Sequence, residues 1–196
     1  MLCATMSESV RVYLMDDYGA KAVAEVRDQV SKRFVADSLR NYLKSNDYEI
    51  SENSLEELVF SYGSHGKPFF ADPMLKGLYF SLSHTKGIAV CAVADKEIGC
   101  DIERPGARRM NPESAIKIAK RYFASEEYEM LLSDPVGSFF PIWTKKEAYV
   151  KWTGRGFSEG FSSFSVFSLP EHIVCESLKL VGAEDAECAI CFGREM

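Results

Sequence analysis

The chain has 196 residues, 46% hydrophobic and 27% charged, enough for a sizeable core and unlike any collagen-like, mucin-like or wholly disordered composition. Its net charge of −6 repels phosphate backbones, so no nucleic-acid partner is expected. The longest clean apolar run, Ile88 to Ala94, is far short of the roughly 20 residues that span a bilayer, and Met1 to Val10 has neither a basic lead nor an apolar core; no membrane partner and a cytoplasmic location are expected.

Val10 to Met15 reads as an opening strand. Asp17 to Ser45 carries Val23, Val26, Val30, Phe34, Leu39 and Leu43 at spacings that predict an amphipathic helix with at most one break. Leu58 to Tyr62 predicts a short strand, followed by turn chemistry over Gly63 to Pro68. Leu78 to Leu82 alternates as a strand, and Gly87 to Ala94 is a continuous apolar run of small and branched residues, the pattern of a strand buried on both faces. Gly99 to Glu103 predicts a third strand, ended by Arg104-Pro105-Gly106. Pro112 opens a helix to about Phe123 with Asn111 as N-cap, Ser125 opens a short one, and Ser138 to Thr153 predicts a longer one stopped by Gly154. Ser162 to Ser168, His172 to Val181 and Glu187 to Phe192 read as three closing strands. The class is α+β, with no sequence repeat and no Pro- or Ser-rich linker, so a boundary between lobes must be short and lie near Asp95 to Glu97.

Six cysteines (Cys3, Cys91, Cys100, Cys175, Cys188 and Cys191) in a chain of this size without a secretory signal read as reduced thiols packed as small hydrophobes. Cys188-Ala-Ile-Cys191 is a CxxC without the second close pair or the histidines a zinc site wants. It lies on an alternating stretch, which favours packing.

Three clusters can carry chemistry. Asp101 and Glu103 lie two apart on a strand and share a face, either as a solvated pair or as two oxygen ligands for Mg2+. Glu147 and Lys151 are four apart on a helix, either an ordinary surface ion pair or a third carboxylate with a phosphate-holding lysine one turn on; Gly154-Arg155-Gly156 follows at once. Ser83 and His84 leave the strand Leu78 to Leu82, either as a plain turn or as donors to phosphate oxygens. No hydrolase elbow, Walker loop or GxGxxG is present.

The order of the blocks says more than any one of them. Tyr62-Gly63, Gly66-Lys67-Pro68, then Phe80-Ser81-Leu82-Ser83-His84-Thr85, then Ile98-Gly99-Cys100-Asp101-Ile102-Glu103, then Trp143 and Lys146-Glu147-Ala148-Tyr149-Val150-Lys151, then Gly154-Arg155-Gly156 resembles the 4'-phosphopantetheinyl transferases, from about Phe60 to Phe167. It is most similar to the surfactin-synthetase-activating type.

The resemblance implies two similar α+β lobes forming an intramolecular pseudodimer, with residues 1–95 as the N-terminal lobe and 96–196 as the lobe carrying the metal site. It implies a monomer that moves the phosphopantetheine arm of coenzyme A to a serine of an apo carrier protein, with Mg2+ as cofactor and adenosine 3',5'-bisphosphate as leaving group. The carrier could serve fatty-acid, polyketide or nonribosomal-peptide synthesis. By similarity Asp101, Glu103 and Glu147 hold the metal, Glu147 doubles as base, Lys151 steadies the pyrophosphate, Ser83 and His84 meet phosphates, and Lys67 lies beside the adenosine. Lys32, Arg33 and Arg40 are the counterparts of the basic residues that grip the 3'-phosphate in the family. Arg104 to Arg121 adds six basic residues against one acid, Glu113, a net of +5 that suits docking of an acidic carrier. Two other readings stay open: a carrier-binding module without chemistry, and a metal-dependent phosphohydrolase acting on coenzyme A or a nucleotide.

Overall fold

The structure is a computed structural model that describes residues 2–7, 9–18, 24–48, 58–107, 110–156 and 160–194. Among the described residues, nine strands and four helices follow in chain order: β1 (Leu2–Ser7), β2 (Val10–Tyr18), α1 (Ala24–Ser45), β3 (Phe60–Tyr62), β4 (Pro68–Phe70), β5 (Tyr79–Thr85), β6 (Gly87–Ala94), β7 (Ile98–Glu103), α2 (Pro112–Tyr122), α3 (Ser125–Ser133), α4 (Pro135–Thr153), β8 (Ile173–Leu178) and β9 (Glu187–Gly193). One sheet has the order β1-β2-β6-β5, a second β7-β9-β8, and β3 pairs with β4 as a small hairpin; every pairing is antiparallel. The class is α+β. No helix among the described residues is long and apolar enough to cross a membrane.

Side-chain alternation sets the layers. Ile88 through Ala94 are fully buried, as the unbroken apolar run of β6 predicts. Ala89, Cys91 and Val93 face α1 with Phe34, Leu39 and Tyr42. Ile88, Val90 and Ala92 face the second sheet, meeting Ile98, Cys100, Ile102, Cys188 and Ile190. On the far side of that sheet Ala189 and Cys191 pack under Ala148 of α4. The stack is therefore α1, first sheet, second sheet, α4. Its two halves repeat one connection: strand, helix, then two strands of which the last inserts centrally, as β2-α1-β5-β6 and again as β7-α4-β8-β9.

The helix boundaries follow local chemistry. Asn111 accepts from Ser114 N–H at 2.8 Å and Pro112 stands at the first turn of α2, as expected. Helix α4 begins three residues before the expected Ser138, because Asp134 accepts from Gly137 N–H and Pro135 fits the first turn. It ends at Gly154, whose φ of +68 is the left-handed cap that glycine supplies.

Four expectations fail. Val10 to Met15 is not the opening strand: Leu2–Ser7 precedes it as β1 and pairs with it antiparallel. Asp17 and Tyr18 belong to β2 rather than to the first helix: pairing with β6 continues past a bulge to Tyr18 opposite Gly87. Pro68, read as the end of a turn, instead opens β4 (Pro68–Phe70) against Phe60–Tyr62. Ser162 to Ser168 is not a strand; Phe161–Ser163 is a single 3-10 turn. Its alternation comes from Phe164 and Val166 entering the aromatic cluster of α2 and α4, beside Phe161. The backbone there bonds to side chains instead of to a neighbouring strand. Lys146 Nζ donates to Phe164 O at 2.7 Å, and Val166 N–H donates to Glu127 Oε1 at 2.7 Å.

Candidate active site

Where the two sheets stack, their edge strands β5 and β7 are tied together by serine hydroxyls. Cys100 N–H donates to Ser81 Oγ at 3.0 Å, Ile102 N–H donates to Ser83 Oγ at 3.4 Å, and the Cys100 thiol donates to Ser81 O at 3.1 Å. Alternation then places Gly99, Asp101 and Glu103 on the other face of β7, toward α4. A Cβ on Gly99 would lie 2.0 Å from Ala148 O and 2.4 Å from Trp152 N, so only glycine lets α4 come this near. That approach brings Glu147 and Lys151 over Asp101.

Lys151 Nζ donates to Asp101 Oδ1 at 2.7 Å and to Ser83 Oγ at 2.9 Å, and Ser83 Oγ donates to the same Asp101 oxygen at 2.6 Å. Asp101 is 5% exposed, and its second oxygen, Oδ2, is buried with no hydrogen-bond partner. Glu103 accepts from Thr85 Oγ1 at 3.4 Å. Burial first, then the charge of Asp101 and more weakly that of Glu103, push Glu147 up to about 7, with Lys151 pulling the other way. For Lys151 burial is the largest influence and works against the charged form, yet Asp101, Cys100 and Glu147 together outweigh it and the amine is held above its ordinary value. Three carboxylates and one ammonium thus share one field at the seam.

The donor set fits a hard cation. A buried carboxylate oxygen without a partner, beside a carboxyl group that its neighbours keep partly protonated, is a place where positive charge is stabilised. Among the described residues no three acidic, histidine or cysteine side chains form a ready-made cage. Mg2+ does not need one, since it is commonly held by one or two carboxylates with substrate oxygens and water.

A cleft of about 300 Å³ opens beside this group between the β3–β4 hairpin and the end of α4. Lys67, Phe80, Leu82, Val150 and Lys151 line it. Lys67 contributes its stem rather than a free charge. Its ammonium donates to the Glu97 carboxylate at 2.5 Å, to Ile98 O at 3.2 Å and to Trp152 O at 3.1 Å, tying the hairpin to the start of β7 and the last turn of α4. His84 leaves β5 on the face opposite Ser83 and lies exposed against Tyr18, ring centroids 4.9 Å apart. Tyr18 in turn bonds Ser31 of α1. Lys32 and Arg33 follow on the exposed side of that helix, Lys32 paired with Asp28 at 2.8 Å; Arg40 pairs with Asp37 at 2.6 Å. The structure thus gathers Ser83, Asp101, Glu103, Glu147 and Lys151, and sets His84, Lys32 and Arg33 apart on the α1 side.

Sequence reasoning missed three supports: the hydroxyl of Ser81, the glycine at position 99, and Lys146. Lys146 is fully buried and bonds Glu127 at 2.7 and 3.0 Å. Glu127 also accepts from Ala124 N–H, so the pair anchors α3 and the Phe164 loop to α4. Within the basic stretch, Arg104 pairs with Asp185 at 2.9 Å and donates to Lys86 O, whereas Lys117, Lys120 and Arg121 are exposed on α2; Arg108 and Arg109 lie outside the described residues.

A family model described as the 4'-phosphopantetheinyl transferase superfamily matches residues 97–193. The chain is 34% identical over 142 residues to the 4'-phosphopantetheinyl transferase psf-1 of Bacillus pumilus, covering 68% of this chain and 58% of that one. It is 41% identical over 110 residues to the 4'-phosphopantetheinyl transferase HetI of a Nostoc strain, covering 53% and 44%. Against the 4'-phosphopantetheinyl transferase Sfp of Bacillus subtilis it is 29% identical over 144 residues, covering 71% and 59%. The chain thus spans roughly half the length of these relatives.

Proposed function

The chain belongs to the 4'-phosphopantetheinyl transferase superfamily, and we propose that it transfers the 4'-phosphopantetheine arm of coenzyme A to a serine of an apo carrier protein, releasing adenosine 3',5'-bisphosphate. The observation that carries this reading is the knot of Lys151, Asp101 and Ser83 beside Glu147 at the seam of two sheets. Phosphoryl transfer asks a protein mainly for positioning and charge neutralisation, and this group offers both.

Asp101, Glu103 and Glu147 would hold Mg2+. When bound, the ion would supply neutralisation of negative charge on the substrate. Lys151 is already pinned by Asp101 and Ser83, so it needs little reordering to meet a phosphate. Glu147, at the edge of this group, would accept the proton of the incoming serine hydroxyl. The cleft lined by Phe80, Leu82 and Val150 offers an apolar wall to the substrate arm. On the α1 side His84, Lys32 and Arg33 would meet the adenosine 3'-phosphate, and Lys67 would flank the adenosine with its stem. The repeated strand-helix-strand-strand connection supports a pseudodimer within one chain; the chain would act as a monomer in the cytoplasm. Lys117, Lys120 and Arg121 would form the face that docks the acidic carrier.

The test is to follow coenzyme A and a panel of apo carriers by mass with the whole chain and Mg2+. Modification of a carrier serine is the expected result. Binding of a carrier without modification would select a non-catalytic module. Breakdown of coenzyme A in the absence of carrier would select a phosphohydrolase.

A further inference from the structure

Two cysteines distant in sequence meet across a strand pair. Cys175 of β8 stands directly opposite Cys191 of β9 in antiparallel register, so both side chains leave the same face of the sheet. Both are free thiols, and the Cys191 thiol is influenced most by that of Cys175. Residues directly opposed in an antiparallel pair have Cα atoms about 4.5–5.5 Å apart, inside the span of about 4.4–6.8 Å that a disulfide bridges. Cys188, which completes the CxxC, lies on the opposite face in the core between the sheets, so that motif cannot close on itself.

Access to the pair is one-sided. Cys191 is fully buried, while Cys175 is partly exposed and its sulfur faces Lys145 O of α4 at 3.5 Å. The two thiols sit with Ala148 in the cluster under α4, the helix whose neighbouring residues form the candidate active site.

We infer that Cys175 and Cys191 are a redox-active dithiol that closes to a cross-strand disulfide when a small disulfide, such as oxidised glutathione, reaches Cys175. The Cys175 thiolate attacks one sulfur of the small disulfide, forming a mixed disulfide and releasing one thiolate. Cys191 then gives up its proton and attacks the Cys175 sulfur; the intramolecular S–S bond forms, and the second small thiolate leaves and is protonated. Two electrons pass from the dithiol to the small disulfide, which ends as two thiols. The Cys175 thiol, then burial, hold the Cys191 thiol above its ordinary value, so closure quickens as pH rises. Closure draws the Cys175 sulfur from the Lys145 carbonyl and fixes β8 to β9 beneath α4. None of this depends on the transferase reading.

The test is oxidation of the folded, full chain with oxidised glutathione at about pH 8, with alkylation of the remaining thiols and mass mapping of peptides. The expected product is one bridge between Cys175 and Cys191, reversed by dithiothreitol and formed faster at higher pH. Cys191→Ser should stop at a glutathione adduct on Cys175, and Cys175→Ser should leave position 191 unmodified. The inference is overturned if the wild-type chain stays fully reduced, stops at the adduct, or bridges any other pair. If a serine variant does not fold, the wild-type map decides alone.

Discussion

Glu147 sits where burial and two neighbouring carboxylates keep its proton on until about pH 7, against an ordinary value of 4.5. Between those values the folded chain holds a proton that the unfolded chain has lost, so this group makes stability fall as pH rises from about 4.5 to 7, and the loss persists above. Glu147→Gln keeps the shape of the protonated acid. It should match wild type near pH 4 and exceed it at pH 8 by on the order of 1–3 kcal/mol in denaturant melts, while kcat falls sharply. Equal stability at both pH values would remove the burial argument. Asp101 and Glu103 should separate in a second way. Asp101→Ala leaves Lys151 and Ser83 without their shared acceptor and should cost about 1–3 kcal/mol, whereas Glu103→Ala should stay within about 0.5 kcal/mol; both should abolish transfer. The same denaturant melts, with a transfer assay, check this. These site types were legible in the sequence because strand and helix periodicities fix which carboxylates share a face. The anchoring of Lys67 and Lys146 was not, because their acceptors come from residues 30, 85 and 19 positions away.

Helix α4 is the element on which the site depends, and its seating rests on one missing Cβ. Gly99→Ala would force Ala148 O and Trp152 N away from β7, since the added carbon would lie only 2.0 and 2.4 Å from them. We expect a loss above about 2 kcal/mol and a large fall in transfer rate even though no candidate ligand changes. A melt and rate indistinguishable from wild type would show that α4 can shift without consequence. The sequence marked Gly99 only as the first residue of a predicted strand; its close neighbour lies about fifty positions on, beyond the reach of any local pattern. The same limit explains the mistaken strand at Ser162 to Ser168. Alternating Phe and Val there satisfy period two, but their burial is against helices, and the backbone partners are the Lys146 and Glu127 side chains. Where local chemistry alone decides, as at the Asn111 cap and the Gly154 stop, sequence and structure agree.

Across the whole molecule, α1, two sheets and α4 stack in order, and the repeated connection is visible only in strand order, because no pair of sequence segments preserves it. The site lies where the two sheets join, with the exposed Lys117, Lys120 and Arg121 on α2. If that face docks an acidic carrier, reversing Lys117 and Lys120 to Glu should raise KM for carrier and flatten its salt dependence, since attraction across solvent is screened within about 8 Å at physiological ionic strength. KM for coenzyme A should hardly move; equal damage to both substrates would tie the patch to the nucleotide site or to the fold. The central claim is that the seam between the sheets performs the transfer. It is tested most directly by the intact mass of an apo carrier after incubation with the chain, coenzyme A and Mg2+, run beside Asp101→Ala. The account predicts one phosphopantetheine added to the carrier serine by the wild-type chain and none by the variant. An unmodified carrier with the wild-type chain across the panel, or an adduct formed equally well by the variant, would contradict it.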